Sequence, residues 1–232
     1  LFNDAFGGGN QVISNLIFNT CTQSGDHGPI NSWNRMPFIT DIAYGYPSYD
    51  AAYTNVSLNF IFANYGGSQG FDTDDGSAWY NMIGNFFYDA MGYKNDYGGF
   101  NVNYYENMNV ALHEQQYNGW EIEPVNTQGP GNEVYNNRII VYNCRGTSIY
   151  CDNAVGIWPS NLDGALKQYN NSFYTPNSNA TIQTWDNNGE IYLSPKEMCQ
   201  TYNLSCLSTQ NSVPSIDEII SWAKILLNIN DA

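Results

Sequence analysis

Apolar and β-prone residues fall in short runs along this chain, and an asparagine recurs at the break between runs. Five segments repeat the design: Ile13-Ser14-Asn15-Leu16-Ile17-Phe18, Ser57-Leu58-Asn59-Phe60-Ile61-Phe62, Ile83-Gly84-Asn85-Phe86-Phe87-Tyr88, Tyr105-Glu106-Asn107-Met108-Asn109-Val110 and Tyr135-Asn136-Asn137-Arg138-Ile139-Ile140. The asparagines stand 44, 26, 22 and 30 residues apart, so the spacing predicts about one coil of a solenoid per interval, with two in the first. The runs lack strict polar alternation, which is how strands buried in parallel sheets read. Glycine-rich turns at Gly7-Gly8-Gly9, Gly66-Gly67, Gly98-Gly99 and Gly129-Pro130-Gly131 separate them. The expected fold is all-β, a parallel β-helix. Asparagine suits its corners because it tolerates left-handed backbone, and stacked asparagine side chains can hydrogen-bond from coil to coil.

The repeat is clearest over residues 1–145 and weakens afterwards, with late strands expected at Ala180–Trp185 and Glu190–Leu193. We expect a β-helix domain over 1–193 and a helical cap over 194–232. Ser194-Pro195-Lys196-Glu197 and Ser215-Ile216-Asp217-Glu218 are capping boxes. After the second, Ile216, Ile219, Ile220, Ala223, Leu226 and Leu227 share one face, predicting an amphipathic helix over 216–229 that covers the open end of the solenoid.

Composition narrows the partners. Seven basic residues oppose 22 acidic ones, a formal charge of −15, which disfavours nucleic acid and anionic membrane surfaces and favours cations, neutral glycans or basic partners. No run reaches the roughly 20 apolar residues of a membrane span. Leu1 to Phe6 reads as the end of a strand running into a turn, as expected of a processed chain or a piece of a longer one. Sequons at Asn55, Asn170, Asn179 and Asn203 fit a secreted glycoprotein. Of five cysteines, Cys144 with Cys151 and Cys199 with Cys206 bracket short loops and suit two local disulfides. Cys21 remains, expected as a small buried hydrophobe.

Counting from the asparagines locates candidate chemistry. Eleven residues after Asn15 comes Asp26, eleven after Asn85 comes Asp96, and eleven after Asn59 comes Gly70, just before Asp72-Thr73-Asp74-Asp75. Adjacent strands lie about 4.8 Å apart. Asp96 is therefore expected one coil from the Asp72–Asp75 group, and Asp26 and His27 about two coils beyond. Crowded carboxylates share a proton or a cation, and calcium is a candidate. A pair of them can also hydrolyse a glycosidic bond, while Lys94 or His27 could abstract a proton as in a lyase. Asp74 and Asp96 are the expected acid and base or nucleophile, with Asp72, Asp26 and His27 beside them. Trp33, Asp75, Lys94 and Tyr97 are expected to bind substrate, and Tyr80, Tyr93 and Trp120 also flank these segments. An acidic surface turn would account equally well for Asp72 to Gly76. The segment is not an EF-hand, since Ile83 stands where the bidentate glutamate belongs. Glu121 and Glu123, beside Trp120, have no repeat argument behind them and stay outside the primary site.

The run Ser24-Gly25-Asp26-His27-Gly28-Pro29-Ile30-Asn31-Ser32-Trp33-Asn34-Arg35-Met36-Pro37-Phe38, with Gly70-Phe71-Asp72-Thr73-Asp74-Asp75-Gly76-Ser77, resembles secreted right-handed parallel β-helix proteins of the pectate-lyase-like superfamily. The likeness spans roughly residues 1–145. It implies a carbohydrate-active or carbohydrate-binding protein, whether glycoside hydrolase, polysaccharide lyase or epimerase, or a non-enzymatic adhesive or fibre protein. Phe100 departs from the histidine that relatives would be expected to carry there. Two functions follow as expectations: polysaccharide hydrolysis or glycan binding through the aspartate face, without a required cofactor, or a glycosylated structural subunit of an extracellular fibre or coat that self-assembles end to end.

Overall fold

The computed structural model describes residues 8–23, 25–33, 52–64, 69–96, 99–112, 118–122, 131–143, 151–157, 166–186 and 189–229. The first half contains β1 (Gln11–Ile13), β2 (Leu16–Thr20), β3 (Ile30–Trp33), β4 (Thr54–Ser57), β5 (Phe60–Asn64), β6 (Phe71–Asp74), β7 (Ala78–Ile83), β8 (Phe86–Tyr88), β9 (Tyr93–Asn95) and β10 (Phe100–Tyr105). Then follow β11 (Met108–Ala111), β12 (Trp120–Ile122), β13 (Asn132–Tyr135), β14 (Arg138–Val141), β15 (Asn153–Ile157), β16 (Leu166–Tyr169), β17 (Ser172–Tyr174), β18 (Thr181–Asp186) and β19 (Gly189–Leu193). The chain closes with α1 (Pro195–Tyr202), β20 (Thr209–Asn211) and α2 (Ile216–Leu226). The protein is mostly β, as expected.

Every third strand joins the same sheet. The first sheet runs β1-β4-β7-β10-β13-β16, the second β2-β5-β8-β11-β14-β17-β20 and the third β3-β6-β9-β12-β15-β18-β19. All named pairings are parallel except the hairpin of β18 with β19. Because side chains alternate across a strand, matching positions form columns. Ile30, Phe71, Tyr93, Trp120, Val155 and Ile182 are in register in the third sheet and buried in the core.

The asparagines form a continuous ladder. Asn59 Oδ1 accepts from both the backbone N–H and the side-chain amide of Asn15, each at 2.9 Å. Asn85, Asn107, Asn137 and Asn171 repeat this double acceptance in turn, and Ser208 Oγ ends the series by accepting from the Asn171 N–H. The left-handed conformation falls one residue earlier than expected, on Ser14, Leu58, Gly84, Glu106, Asn136 and Asn170. That residue turns the corner, and the following asparagine points inward, where it satisfies buried backbone groups. Asn15 bonds Asn59 directly and β1 pairs β4, so the 44-residue interval is one step along the ladder rather than two. Asn171 is a sixth member, in Tyr169-Asn170-Asn171-Ser172-Phe173-Tyr174, where the repeat had been expected to fade.

The C-terminal segment follows its capping boxes. Ser194 and Ser215 each accept from the N3 backbone while Glu197 and Glu218 reach back to them. The α2 helix does not cover the end of the stack, however. It lies on the flank of the second sheet, where Ile219 and Ala223 pack on Phe86, Met108, Val110 and Ile140. Arg138 lies 4.9 Å over the Trp222 ring, fastening helix to strand. Cys199 and Cys206 are bonded, bracing the link from α1 to β20. Cys151 is also disulfide-bonded, and its expected partner Cys144 lies outside the described residues.

Candidate functional site

The third sheet turns one set of alternating residues away from the core. In the first outward column Asn31, Asp72, Lys94 and Glu121 are in register, and in the next Trp33 pairs with Asp74. Asp96 follows β9 directly, and its N–H donates to Thr73 O at 3.1 Å, which brings it alongside Asp74. The expectation that Asp96 lies one step from the Asp72–Asp75 segment therefore holds.

Lys94 is the hub. Its Nζ is 3.3 Å from Asp72 Oδ1, 3.1 Å from Asp74 Oδ1 and 3.2 Å from Asp96 Oδ2. Burial works against its charge, but Asp72, Asp96 and Asp74 outweigh that and hold the ammonium well above its ordinary pKa. A lysine so held cannot serve as a base near neutral pH. Asp72 is fully buried and shares its other oxygen, Oδ2, between the Gly28 N–H at 3.2 Å and the Asn31 amide at 3.3 Å. Burial pushes its carboxyl upward, Lys94 opposes that shift, and the charge of Asp74 adds to it.

The network runs on to His27 and Asp26. The Asn31 amide lies 3.4 Å from His27 Nδ1, and His27 Nε2 lies 3.5 Å from Asp26 Oδ2. The two ring nitrogens thus face different partners, Nδ1 the Asn31 amide and Nε2 the Asp26 carboxylate. Asp26 is largely exposed. It reaches the cluster through this relay and not through strand register. The residues in register lie sixteen, thirteen, nine and fourteen positions after their ladder asparagines, so the common eleven-residue offset does not describe the third sheet. Nor is the group two steps away, since β3 pairs directly with β6.

Trp33 is 38% exposed, and its indole N–H donates to Asp75 Oδ2 at 2.9 Å. The other flanking aromatics are structural. Tyr93 and Trp120 are core residues, and Tyr80 is buried with its hydroxyl on Ser32 Oγ at 2.7 Å. Tyr97 lies outside the described residues. Glu121 was the residue missed: it is in register with Lys94 and accepts from Gln69 Nε2 at 2.9 Å. Its signal was the alternation of Trp120-Glu121-Ile122, which marks Glu121 as the outward residue of a buried strand. Cys21 is not a core position. It follows β2 with positive φ, and its half-buried thiol lies 2.7 Å from His27 O, tying the two segments together. Among the sequons, Asn170, Asn179 and Asn203 are exposed, whereas Asn55 is half-buried and accepts from Asn81.

The carboxylates of Asp74, Asp75 and Asp96 offer oxygens within 4.8 Å of one another, a hard donor set of the kind calcium takes. The Lys94 ammonium already touches two of the three, so a divalent ion there would meet a like charge at close range. The set therefore fits calcium poorly. No helix among the described residues is long and apolar enough to cross a membrane. No protein family, curated protein or solved structure matches the chain.

Proposed function

We propose that this chain is an extracellular glycan-binding protein built on a right-handed parallel β-helix of the pectate-lyase-like kind, with its binding face on the outside of the third sheet. The carrying observation is Trp33, exposed at that face with its indole locked onto Asp75 beside the Asp74–Lys94–Asp96 group. A pyranose has an apolar C–H face that can lie on an oriented indole, and its hydroxyls can donate to fixed carboxylates. Pairing of each strand with the third one on supports the β-helix reading, and the Cys199–Cys206 bond fits an oxidising compartment.

Charge narrows the ligand. Three aspartates around one lysine, with Asp75 beside them, favour neutral or amino-bearing sugars and repel uronates. Binding fits better than hydrolysis, because a glycosidase needs one carboxylic acid and one carboxylate able to act on the sugar. Here Asp74 and Asp96 are both tied to Lys94, and Asp72 is buried out of reach.

Titration calorimetry with neutral, amino-bearing and uronate oligosaccharides tests this reading. Trp33→Ala is expected to weaken binding about tenfold, a loss of about 1.4 kcal/mol. Equal affinity in the variant, or no binding by any oligosaccharide, would overturn it. Reducing-end release abolished by Asp74→Asn and Asp96→Asn would restore the hydrolase. The fibre reading draws on the exposed Leu16 and Phe18 of β2, which is an edge strand of its sheet among the described residues. At the other end the last strands among the described residues are β16, β20 and β19, of which β19 alone breaks the parallel order. Light scattering that finds long polymers would favour the fibre instead.

A further inference from the structure

Three tyrosines share one outward column of the first sheet. Tyr105 of β10 is in register with Tyr135 of β13, and Tyr135 with Tyr169 of β16. Parallel pairing sets neighbouring residues about 4.8 Å apart, and identical side chains at three successive steps then stack ring on ring. Tyr105 and Tyr135 lie 4.7 Å apart between centroids at an interplanar angle of 5°, and Tyr135 and Tyr169 lie 5.1 Å apart at 0°. All three are half-buried, so part of each ring reaches solvent. Packing does not demand tyrosine here, because Ile13, Ser57 and Ile83 fill the earlier steps of the same column. Among the described residues the other stacked tyrosine pair, Tyr93 with Tyr104 at 5.1 Å and 13°, is fully buried. Burial pushes the Tyr135 phenol up to about 12, and the adjacent Tyr105, Tyr169 and Glu133 add to the rise. That ring is therefore neutral near pH 7, and taking an electron from it releases a proton as well.

We infer that this column is an oxidative cross-linking site, at which a peroxidase-type one-electron oxidant joins Tyr135 to Tyr105 or Tyr169 and so rivets successive strands of the first sheet. Two phenols each lose one electron and one proton, and the phenoxyls form a carbon–carbon bond between ring positions ortho to oxygen. The hydrogen on each joined carbon leaves as a proton, and each oxygen takes one up again. One hydrogen peroxide accepts the two electrons and two protons released overall and becomes two waters. Coupling within the chain outruns coupling between copies, because the partner ring is already in contact whereas a formal charge of −15 repels a second molecule. A covalent bond between residues distant in sequence restricts the unfolded chain as a disulfide does. The assignment does not depend on the glycan reading, because the two faces belong to different sheets.

The test treats the dilute full chain with a peroxidase and limiting hydrogen peroxide, then isolates the monomer by gel filtration. Its dityrosine fluorescence should rise, and peptide mass mapping should find Tyr135 joined to Tyr105 or Tyr169 with the loss of two hydrogens. Tyr135→Phe keeps a ring in the column but removes the phenol common to both pairs, so it should lose nearly all of that monomer dityrosine. Tyr105→Phe should retain the bond from Tyr135 to Tyr169, and the buried Tyr93 and Tyr104 should stay unmodified. The cross-linked monomer should unfold at a higher urea midpoint than untreated protein. Trp33→Ala should cross-link as wild type does, which separates failure here from failure of the glycan site. Wild-type monomer without dityrosine, an undiminished yield in Tyr135→Phe with a native circular dichroism spectrum, bonds formed only between copies, or an unchanged midpoint after cross-linking would each overturn the assignment.

Discussion

Replacing one buried ladder asparagine should unfasten two neighbouring steps at once. Asn107 Oδ1 accepts from the Asn85 backbone N–H at 2.9 Å and from the Asn85 amide at 3.0 Å, while its own Nδ2 is shared among Met82 O at 3.0 Å, Tyr105 O at 3.1 Å and Asn137 Oδ1 at 3.2 Å. Asn107→Ala removes all five. The Asn85 side-chain amide keeps Val56 O, and Tyr105 O keeps the Gly84 N–H, but the Asn85 backbone N–H loses its acceptor in a buried setting. A buried orphan donor costs about 1–3 kcal/mol, and each lost bond about 0.5–1.5 kcal/mol, so the variant should lose about 3–5 kcal/mol. Asn103→Ala is the control. Its Nδ2 donates to Asn81 Oδ1 at 2.8 Å in a half-buried outer row, and its loss should cost under about 1 kcal/mol. Urea titration measures both as midpoint shifts, and hydrogen exchange should report lost protection at the Asn85 amide in particular. Asn107→Asp sharpens the test. A carboxylate there would be buried facing Met82 O and Tyr105 O, so its folded pKa must rise above the ordinary value of about 3.9. Its cost relative to wild type should be small below that ordinary value and grow as pH rises through the folded pKa. Equal losses for Asn107→Ala and Asn103→Ala would refute the ladder as a source of stability.

Lys94→Met leaves Asp72 buried without the cation beside it and should cost about 3–5 kcal/mol at pH 7. Because burial already raises the Asp72 pKa and Lys94 opposes the rise, the penalty should shrink as pH falls through the folded pKa toward about 3.9; a pH-independent loss in denaturant titrations would contradict the pairing. Replacing Cys199 and Cys206 together by serine opens a loop of sequence separation 7 and should lower unfolding free energy by about 2 kcal/mol, with an unchanged midpoint counting against the brace. Gly28→Ala would put a Cβ 2.1 Å from Gln69 O and 3.0 Å from Asp72 Cβ, so its melting temperature should fall by several degrees, and the glycan binding proposed for the Trp33 face should fall with it; a native melting profile would show that the segment before β3 can move aside.

The ladder was legible because its corner has constant length. Two residues separate β1 from β2, β4 from β5, β7 from β8, β10 from β11, β13 from β14 and β16 from β17. A fixed corner keeps asparagine in phase with the strands on both sides, and simple spacing then reveals it. Acceptance by Oδ1 joined to donation by Nδ2 explains why asparagine recurs there, since aspartate would lack the inward-facing donor. The left-handed residue was harder to read because serine, leucine, glycine, glutamate and asparagine all occupy it. The backbone tolerates them there because hydrogen bonds from the next residue fix the corner. The position of α2 was not legible either. A one-sided apolar helix suits the flank of a sheet as well as the end of a stack, and only the partners Phe86, Met108 and Val110 decide between them.

The third sheet obeys a different constraint, which bears on why the charged cluster gathers there. Between the second and third sheets the connections run from four residues, between β8 and β9, to eleven, between β14 and β15, so no single offset tracks the register. The inward column is held by packing of Ile30, Phe71, Tyr93 and Trp120, and the pleat then sends Asn31, Asp72, Lys94 and Glu121 to the other side whatever the length of the preceding loop. Loop length is thus free to vary without disturbing the core, and segments such as the one carrying Asp26, His27 and Gly28 can fold over the outward column. The buried Asp72 is the physical mark of that covering, because an outward residue of an open sheet would be solvated and would need neither the Gly28 N–H nor Lys94. Constraint on the first two sheets and latitude at the third confine an adaptable polar face to one side of a stack whose asparagine ladder supplies the rigidity.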